Sequence, residues 1–424
     1  MSEGIIVGLD VGSSVIKVAI GSYDEKTEEV QIAGISSIKS AGLRNGVVVN
    51  IEDAKDAIQK AIDAAEQNAG MKIDSVVTAV GGTCIESMNS KGSVPVNSAG
   101  KNNKEITKSD YKRVIEYAST VPFPPDREKL HVIPQNFIVD GVRGIQNPIN
   151  QIGTRLEVEV HIVTASIGVI TNLGNCIGRA GYHLDGVMLK TLAATQAVCH
   201  QDELELGSIV IDLGAGTTDV IVLVNGAPIS TGSVPVGGNM VTSDIAQVTG
   251  IPFADAERIK KESGCCWNEL INAATDSEVI LPGVGGRSPQ IITKSQLSFI
   301  IQARMEQILN FVKAEIIKNT KNMVRELSGN IVLTGGGAQI EGIVELAQNV
   351  FKTSSVRIGI PENLGGIEED YRHPDFATAV GLVIANKKLA ESRNNHKKIK
   401  NHIAKKEKET ENESWIKRLF KMFF

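Results

Sequence analysis

Two stretches of the chain share one pattern, and together they decide the fold: IIVGLDVGSSVIKVAI at residues 5–20 and IVIDLGAGTTDVIVLV at residues 209–224. In each stretch an apolar, β-rich run ends near an Asp, a turn of Gly, Ser and Thr follows, and a second β-rich run returns. This order of strand-forming and turn-forming residues predicts a hairpin in both places. The duplication predicts two similar α/β halves that face each other across a cleft.

The turns of both hairpins contain residue types that bind phosphate. Glycine lets backbone N–H groups approach phosphate oxygens closely, and a lysine supplies positive charge. Asp10 and Asp212 each end a strand, and two facing acids are expected to hold Mg²⁺, largely through its waters. The candidate phosphate residues are Gly12, Ser13, Ser14 and Lys17 in the first hairpin, and Gly214, Gly216, Thr217 and Thr218 in the second.

A third glycine-rich turn, TGGGAQIEG at residues 334–342, lies between a buried strand and a helix. Its three consecutive glycines, Gly335, Gly336 and Gly337, would let a flat adenine lie against the backbone. Any one of the three turns also fits a tight hairpin or a helix start. The presence of all three in this order, with both Asp residues, favours an ATP site.

The remaining pattern divides the chain into further units. Residues 51–68 have apolar residues at helical spacing, with Gly70 as a stop, and a short helix is predicted at 108–118. A long helix is predicted from about Ser295 to Leu327. The expected units are 1–83 with 165–195 and 358–388 as the first domain, 84–164 as an inserted α+β subdomain, 196–228 with 304–357 as the second domain, 229–303 as a second, mostly helical insert, 389–413 as a disordered linker and 414–424 as an amphipathic helix.

Composition restricts the class of protein. The chain has 424 residues, 42% hydrophobic and 22% charged, and no apolar run of about eighteen residues, so a membrane-spanning helix is not expected. Its five cysteines form no CxxC pair, so neither a disulfide framework nor a zinc site is expected. Residues 387–424 carry 12 Lys and Arg against 5 Glu, which leaves 32 basic and 44 acidic residues elsewhere. A basic tail on an acidic body indicates an anionic partner for the tail.

The tail ends in SWIKRLFKMFF, residues 414–424. On a helical wheel its apolar side chains fill one continuous arc of about 160°, with Phe424 beside it, and the basic ones lie opposite. This arrangement predicts an in-plane helix on an anionic lipid surface, although docking on the protein body or on a partner stays open. The candidate membrane residues are Trp415, Ile416, Leu419, Phe420 and Phe423 on the apolar side and Lys417, Arg418 and Lys421 on the basic side.

The three turns resemble the motifs of the actin, heat-shock chaperone and sugar kinase superfamily. The two Asp–Gly turns are similar to its phosphate motifs and the triple glycine to its adenosine motif. The resemblance implies two ribonuclease-H-like domains around an ATP cleft, with residues 178–194 and 377–385 as the connecting helices. It also implies that Glu257, Lys260 and Lys261 flank the adenosine, and that Gly237 and Gly238 form a further phosphate-side turn.

Within this superfamily the insert resembles that of the FtsA family. The similarity lies in HVIPQNFIVDG (131–141), in NPINQIGTRLEVEVHIVTA (147–165) and in GLRNGVVVNIEDA (42–54), with NQIG as a local departure. The resemblance implies a cell-division protein that binds ATP, hydrolyses it slowly at most, and self-assembles on the cytoplasmic face of the membrane. It also implies that the protein anchors the FtsZ ring there by the FtsZ C-terminal tail. Lys294 and Arg304 are the candidate tail contacts, and no nucleic-acid partner is expected.

Two alternative functions stay open at this point. A pilus-assembly-type adaptor shares the fold, and so does a metabolite kinase of the same superfamily. A kinase needs a carboxylate that faces a substrate hydroxyl and has no use for a lipid-binding helix. The insert and the terminal helix favour the FtsA family over the pilus-assembly adaptor and over the kinase.

Overall fold

The computed structural model describes residues 4–24, 29–96, 104–283, 285, 286, 288–320, 330–362 and 364–387. The chain begins with the first sheet. Its elements are β1 (Gly4–Val11), β2 (Val15–Asp24), β3 (Glu29–Lys39), β4 (Leu43–Arg44), β5 (Val47–Val48), α1 (Ile51–Ala69) and β6 (Ser75–Val80). β1 and β2 form the predicted hairpin, and β6 lies parallel to β1 on its other side.

Helix α1 begins and ends where its sequence specifies. The Asn50 side chain accepts hydrogen bonds from the backbone N–H groups of Glu52 and Asp53, so it caps the N-terminus. Gly70 ends the helix with φ 64°, a left-handed conformation that glycine adopts without strain. The prediction of a helix over 51–68 is confirmed. Its apolar face packs on the first sheet.

An inserted module, residues 85–166, follows β6. Its elements are β7 (Ile85–Pro95), β8 (Lys104–Glu105), α2 (Lys108–Ala118), β9 (Arg127–Val139), β10 (Val142–Ile145), β11 (Ile152–Gly153) and β12 (Arg155–Ser166). Four strands form a sheet in the order β10-β9-β12-β7, and α2 covers one face of it. Thr107 and Asp110 form a capping box at the start of α2, and the helix predicted over 108–118 is confirmed.

The chain then returns to the first sheet and crosses to the second half. This part comprises α3 (Ile167–Arg179), β13 (His183–Leu189), α4 (Lys190–Val198) and α5 (Gln201–Leu206). Residues 178–194, expected as one connecting helix, instead contain the end of α3, all of β13 and the start of α4. Strand β13 pairs with β6 at the edge of the first sheet, so the segment does not form a continuous helix.

The second half repeats the first. Its elements are β14 (Ser208–Leu213), β15 (Thr218–Val224), β16 (Ala227–Val234), α6 (Gly238–Thr249), α7 (Phe253–Ser263), β17 (Glu278–Leu281), β18 (Gln290–Thr293), α8 (Lys294–Thr320), β19 (Asn330–Thr334), α9 (Ile343–Phe351) and β20 (Val356–Ile358). The chain then returns to the first sheet with β21 (Gly365–Gly366), which pairs with β3, and continues with α10 (Glu368–Tyr371) and α11 (Ala377–Ala385). The second sheet has the order β16-β15-β14-β19-β20, and the first has β3-β2-β1-β6-β13 with β21 beyond β3. The expected duplication of two α/β halves is therefore confirmed.

Some expected boundaries differ from the structure. β16 extends to Val234, so residues 229–234 belong to the second sheet and not to the second insert, because they pair with β15. α8 crosses the expected boundary at 303 and is described to Thr320, whereas residues 321–329 lie outside the described residues. The linker and terminal helix predicted for 389–413 and 414–424 also lie outside them.

Helices α4 and α11 lie between the two sheets and touch each other closely. A Cβ atom on Gly381 would stand 1.9 Å from the carbonyl oxygen of Ala193. A Cβ atom on Gly8 of β1 would stand 2.1 Å from the carbonyl oxygen of Ala379. Both contacts are backbone to backbone, so no side chain larger than hydrogen fits. The two halves are therefore held at a fixed separation.

Two buried histidines attach the inserted module to both halves. The Leu189 backbone N–H, at the end of β13, donates to Nε2 of His131 at 2.9 Å. His161 lies with Nδ1 2.7 Å from Oδ1 of Asn89 and Nε2 3.1 Å from Oγ1 of Thr231 in β16. Burial lowers the pKa of both histidines to about 4, and the charge of His161 further lowers that of His131. Both rings are therefore neutral in the folded protein at pH 7.

We expect these histidines to make the protein acid-sensitive. Between pH 6.5 and about 4 the unfolded chain binds a proton at each histidine that the folded chain does not bind. The free energy of unfolding should therefore fall as the pH falls, by up to about 1.4 kcal/mol per pH unit for each histidine. Replacing His131 by Gln keeps an acceptor for Leu189 and should make the slope shallower, as measured by urea unfolding at several pH values.

His183→Gln is the matched control, because its side chain is 76% exposed. It makes the same change of residue type at the surface, so its slope is the reference for His131→Gln. An unchanged slope in the His131→Gln variant would mean that His131 is not the group that titrates.

Candidate functional site

A cavity of about 430 Å³ opens between the two halves. Its walls are the hairpin turns of β1–β2 and β14–β15, the triple-glycine turn after β19, the start of α4 and one face of α7. Of the residues expected to bind ATP, those that line the cavity are Asp10, Gly12, Ser13, Ser14, Lys17, Asp212, Gly214, Gly216, Thr217, Gly238, Glu257, Lys260, Lys261, Gly335, Gly336 and Gly337.

The structure places Thr218 and Gly237 behind the cavity wall. Thr218 is fully buried in β15, and its hydroxyl donates to the carbonyl oxygen of Val236 at 2.9 Å. Gly237 packs against the second hairpin turn, where a Cβ atom would stand 2.5 Å from the carbonyl oxygen of Gly214. Both residues therefore support the turn from behind, and their side-chain positions do not reach the cavity.

The two hairpins place charged residues at equivalent positions. Asp10 of β1 pairs across the hairpin with Lys17 of β2, and Asp212 of β14 pairs with Asp219 of β15. Residues directly opposite in an antiparallel pair project on the same face of the sheet. The first hairpin therefore directs one acidic and one basic side chain at the cleft. The second hairpin directs two acidic side chains at it.

One lysine interacts electrostatically with three carboxylates at the centre of the cleft. Asp10, Asp212 and Asp219 are 7%, 2% and 4% exposed. Nζ of Lys190, the first residue of α4, lies 3.2 Å from Oδ2 of Asp212. Burial raises the pKa of Asp10 and of Asp219, and the Lys190 charge opposes the rise in both. Burial alone would lower the pKa of Lys190, but the three carboxylates outweigh it and raise that pKa.

A second ion pair crosses the cleft nearby. Nζ of Lys17 lies 2.8 Å from Oδ2 of Asp375, which comes just before α11, and 5.5 Å from the ring centre of Phe376. The lysine is thus held by a carboxylate and by the face of an aromatic ring. Its 8% exposure leaves little freedom to move.

The triple-glycine turn combines two tightly packed glycines with one open position. A Cβ atom on Gly335 would stand 2.2 Å from Oδ1 of Asp212, and one on Gly337 would stand 2.8 Å from Cβ of Leu213. A Cβ atom on Gly336 would meet no protein atom within 4 Å, and the φ of Gly336 is not positive. Neither packing nor backbone conformation therefore explains the glycine at 336, which borders the open cavity.

Helix α7 contributes a network on the opposite wall. Nζ of Lys260 donates to Oγ1 of Thr242 at 2.8 Å and to the carbonyl oxygen of Gly238 at 3.1 Å, and it lies 2.6 Å from Glu257. Thr242 also donates to Glu257. Burial lowers the pKa of Lys260, and Glu257 opposes this. Lys261 lies 3.4 Å from the same carboxylate, and its side chain is 65% exposed.

The acidic side chains of the cleft do not form a preformed site for a bare metal ion. Across the described ranges, no group of three or more His, Cys, Asp or Glu side chains is placed to hold one. Lys190 already contacts Asp212. The buried carboxylates do fit a metal that enters with a phosphate ligand and meets Asp10 and Asp212 through water.

The two candidate partner contacts are already paired within the chain. Lys294, at the start of α8, forms an ion pair with Glu341. Nη2 of Arg304 donates to Oδ1 of Asp244 in α6 at 2.9 Å. In the part of the chain that the structure describes, no helix is both long and apolar enough to cross a membrane. The predicted membrane residues, 415–423, lie outside the described residues.

Sequence reasoning missed three charged residues of the cleft: Lys190, Asp219 and Asp375. Asp219 had a signal, because it follows Asp212 at the spacing by which Lys17 follows Asp10. Lys190 and Asp375 had none. Each comes from a segment that only the tertiary fold brings to the hairpins.

Family models match most of the body of the chain. Residues 209–381 match the model of cell division protein FtsA, and residues 82–164 match that of the SHS2 domain inserted in FtsA. The FtsA protein of Borreliella burgdorferi is 42% identical over 408 residues, which is 96% of this chain and 97% of that one. The FtsA protein of Escherichia coli strain K12 is 36% identical over 384 residues, 89% of each chain.

Solved structures share the fold at low sequence identity. A PilM–PilN type IV pilus biogenesis complex matches with a TM-score of 0.64 and 16% identity, over 89% of this chain and 97% of that one. The MreB5 protein of Spiroplasma citri bound to ADP matches with a TM-score of 0.54 and 16% identity, over 92% and 98%. These likenesses concern fold alone, and they confirm the expected actin-like architecture.

The relatives at 35–42% identity match nearly the whole length of the body, including the inserted module. On that basis the chain belongs to the FtsA family of cell division proteins.

Proposed function

We propose that this protein binds ATP in the cleft, self-assembles on the cytoplasmic face of the membrane at the division site and anchors the FtsZ ring there. The observation that carries the ATP assignment is the open space over Gly336. A glycine that neither packing nor backbone conformation requires, at the wall of a cavity, is explained by a flat ligand lying on its backbone. The adenine of ATP has that shape.

The rest of the cleft fits the other parts of ATP. The two Gly turns line the cavity, where their backbone N–H groups would meet a phosphate chain. Lys17 and Lys190 add positive charge beside them. Glu257 and the two lysines of α7 line the wall beyond the second turn and flank the nucleoside. The MreB5 protein with the same fold is bound to ADP in one structure and to AMPPNP in another.

Mg²⁺ that enters with ATP would neutralise phosphate charge, with Asp10 and Asp212 as acceptors for its waters. We propose that hydrolysis is slow at most. Asp212 and Asp375 each contact a lysine, so neither carboxylate is free to hold an attacking water. A metabolite kinase would need a free carboxylate facing a substrate hydroxyl.

The FtsZ contact is proposed on the second insert. Lys294 and Arg304 lie on α8, and their charges suit an acidic peptide. Each now pairs with an acid of its own chain, Glu341 and Asp244 respectively. A bound acidic tail would replace those partners.

We expect Gly336→Leu to weaken ATP binding at least about ten-fold, or about 1.4 kcal/mol, because the added side chain fills the space proposed for adenine. Thermal stability should change little, since that space contains no protein atom within 4 Å of the new Cβ. Calorimetric titration with Mg-ATP, together with a melting curve, tests both points.

Gly178→Leu is the control for this prediction. Gly178 lies in α3, has no neighbour within 4 Å of a Cβ position and is absent from the cavity wall. It should bind ATP as the wild type does. Equal ATP affinity in the two variants would mean that adenine does not lie on the triple-glycine turn.

The inserted module is proposed as a subunit contact in the filament. Val142 and Ile152 are 64% and 68% exposed on the module. Replacing both by Lys should reduce filament formation on lipid monolayers, seen by electron microscopy, and leave ATP binding intact, because the glycine turns lie outside the module. Deletion of 84–164 should abolish assembly, but it also removes the His131 contact to Leu189.

Val49→Lys is the matched control, since Val49 is 65% exposed and lies on the first half, outside the module. It should assemble normally. Normal filaments from the double module variant would mean that subunits meet elsewhere.

The terminal segment is proposed as the membrane anchor. Trp415→Ala with Phe420→Glu should release the protein from anionic vesicles, because the change removes two large apolar side chains and places a carboxylate in the interface. FtsZ added to the sample should then stay in the supernatant. Co-sedimentation with vesicles measures both proteins, and ATP affinity should be unchanged.

Replacing Lys417, Arg418 and Lys421 by Gln should weaken vesicle binding less, and mainly at low salt, because salt screens that contribution. The order of the two variants decides the mechanism. If the charge variant detaches and the apolar variant stays bound, the tail is a basic tether and not an in-plane helix.

A further inference from the structure

The long helix α8 has apolar residues on two opposite faces. One face packs into the core of the second half. The other face is exposed, yet it includes Phe299, Phe311 and Ile317, which are 63%, 44% and 43% exposed. A helix that packs on one side alone carries polar residues on the opposite side. The exposed face of α8 therefore indicates a packing partner that the described residues do not supply.

Six residues on this side of α8 follow the spacing of a coiled-coil seam. Successive members lie three or four residues apart, which keeps them on one stripe of the helix. The stripe covers residues 300–317, about 27 Å of helix. We call it the α8 seam, and its members are Ile300, Ala303, Gln307, Asn310, Ala314 and Ile317. Ile300 is half-buried, and the other five are exposed.

The α8 seam has the same order of residue types in both directions. It runs isoleucine, alanine, amide, amide, alanine, isoleucine, with spacings of 3, 4, 3, 4 and 3 residues. If two copies of α8 lie antiparallel about a twofold axis between residues 308 and 309, each seam residue faces one of its own type. Ile300 then faces Ile317 of the second copy, and Ala303 faces Ala314. The seam is therefore complementary to itself.

The two central amides carry groups that match each other. Oε1 of Gln307 accepts from Arg304, and Nδ2 of Asn310 donates to the carbonyl oxygen of Glu306 at 2.9 Å. Within the described residues, this leaves Nε2 of Gln307 as a donor and Oδ1 of Asn310 as an acceptor. In the antiparallel register the donor of each copy faces the acceptor of the other. A polar pair within a coiled-coil seam fixes its register.

Charges beside the α8 seam are complementary in the same register. Glu306 and Lys313 each come one residue before a seam position, so they lie on the same flank. In the antiparallel pair, Glu306 of each copy faces Lys313 of the other. Nζ of Lys313 donates one N–H to the carbonyl oxygen of Val350 at 2.7 Å, which leaves two N–H groups for a carboxylate. A flank with one acid and one base matches a second copy, whereas a uniformly acidic or basic helix would leave one of them unmatched.

We propose that α8 pairs with α8 of a second copy of this chain, antiparallel and about a twofold axis between residues 308 and 309. Such a contact is isologous, because both copies use the same surface, and it closes on itself. It involves neither Val142 nor Ile152 of the inserted module. The pair therefore goes beyond the contact proposed for the filament and does not depend on it.

Disulfide trapping of the full-length protein tests the register. Ala303→Cys is mixed with a tagged Ala314→Cys chain, oxidised and run on a non-reducing gel. A disulfide needs Cβ atoms about 4 Å apart, and these two positions face each other, so we expect at least about ten-fold more mixed dimer than in the control. Each variant alone should give little dimer, because its two cysteines are displaced by the distance from residue 303 to residue 314, about 16 Å.

Asn172→Cys is the matched control, because Asn172 is an exposed helix residue of α3. Its mixture with Ala303→Cys sets the background from random collision, and the wild type sets that from the native cysteines. If an alanine variant does not fold, Ile300→Cys with Ile317→Cys replaces the pair. Folded variants whose mixed dimer does not exceed the background would overturn the proposal and leave the seam to a different partner.

Charge reversal tests the pairing of Glu306 with Lys313. In the cysteine pair, Lys313→Glu places acids opposite each other and should reduce the mixed dimer, whereas Glu306→Lys together with Lys313→Glu should restore it. Both forms lack the Lys313 bond to Val350, so the restoration comes from the contact between copies. If the double variant traps no more dimer than the single one, the antiparallel register is wrong and the proposal fails.

The variant Val142→Lys with Ile152→Lys separates this contact from the filament. In that background the mixed dimer of Ala303→Cys with Ala314→Cys should persist. Its loss would mean that the α8 helices meet only within the filament, and the independent pair would be disproved. Normal filaments from the module variant count against the module contact alone and leave the α8 result standing.

Discussion

The contact between α4 and α11 determines how far apart the two halves lie. At Gly381 and Gly8 the backbone of one element touches the backbone of the next, at distances that exclude even a methyl group. Around them the core shared by both sheets includes several alanines, among them Ala194, Ala197 and Ala379. Small side chains have few rotamers, and they let neighbouring backbones approach each other closely. The width of the cleft therefore depends on backbone contacts, which side-chain rearrangement does not relax.

A fixed cleft width allows buried charges to be paired across it. Lys190 begins α4 and reaches Asp212 of the second hairpin, while Asp375 precedes α11 and reaches Lys17 of the first. Each of the two central helices thus starts at one member of an ion pair whose partner lies in a hairpin. Buried pairs of this kind are sensitive to geometry, because either member alone would be a desolvated, uncompensated charge. The proposed nucleotide site depends on the same spacing.

The sequence was informative where the signal was local. Both hairpins, α1 and α2 could be predicted, since a few neighbouring residues determine each turn and each helix cap. Thr218 was assigned to the phosphate site because it lies in a Gly-rich turn, but side chains alternate along a strand. Asp219 faces the cleft opposite Asp212, so Thr218 must face the core. Alternation of side chains along the hairpin would have assigned Asp219 to the site and Thr218 to the core.

The inserted module shows what local reasoning could not reach. Its side chains donate to β16 of the second half, and its His131 accepts a hydrogen bond from Leu189 of the first half. Leu189 is the residue directly before Lys190. A displacement of β9 relative to β13 would therefore move the backbone from which the central cation of the cleft projects. The module proposed to meet neighbouring subunits is thus joined, through one hydrogen bond and one peptide unit, to the lysine that balances the charge at the proposed nucleotide site.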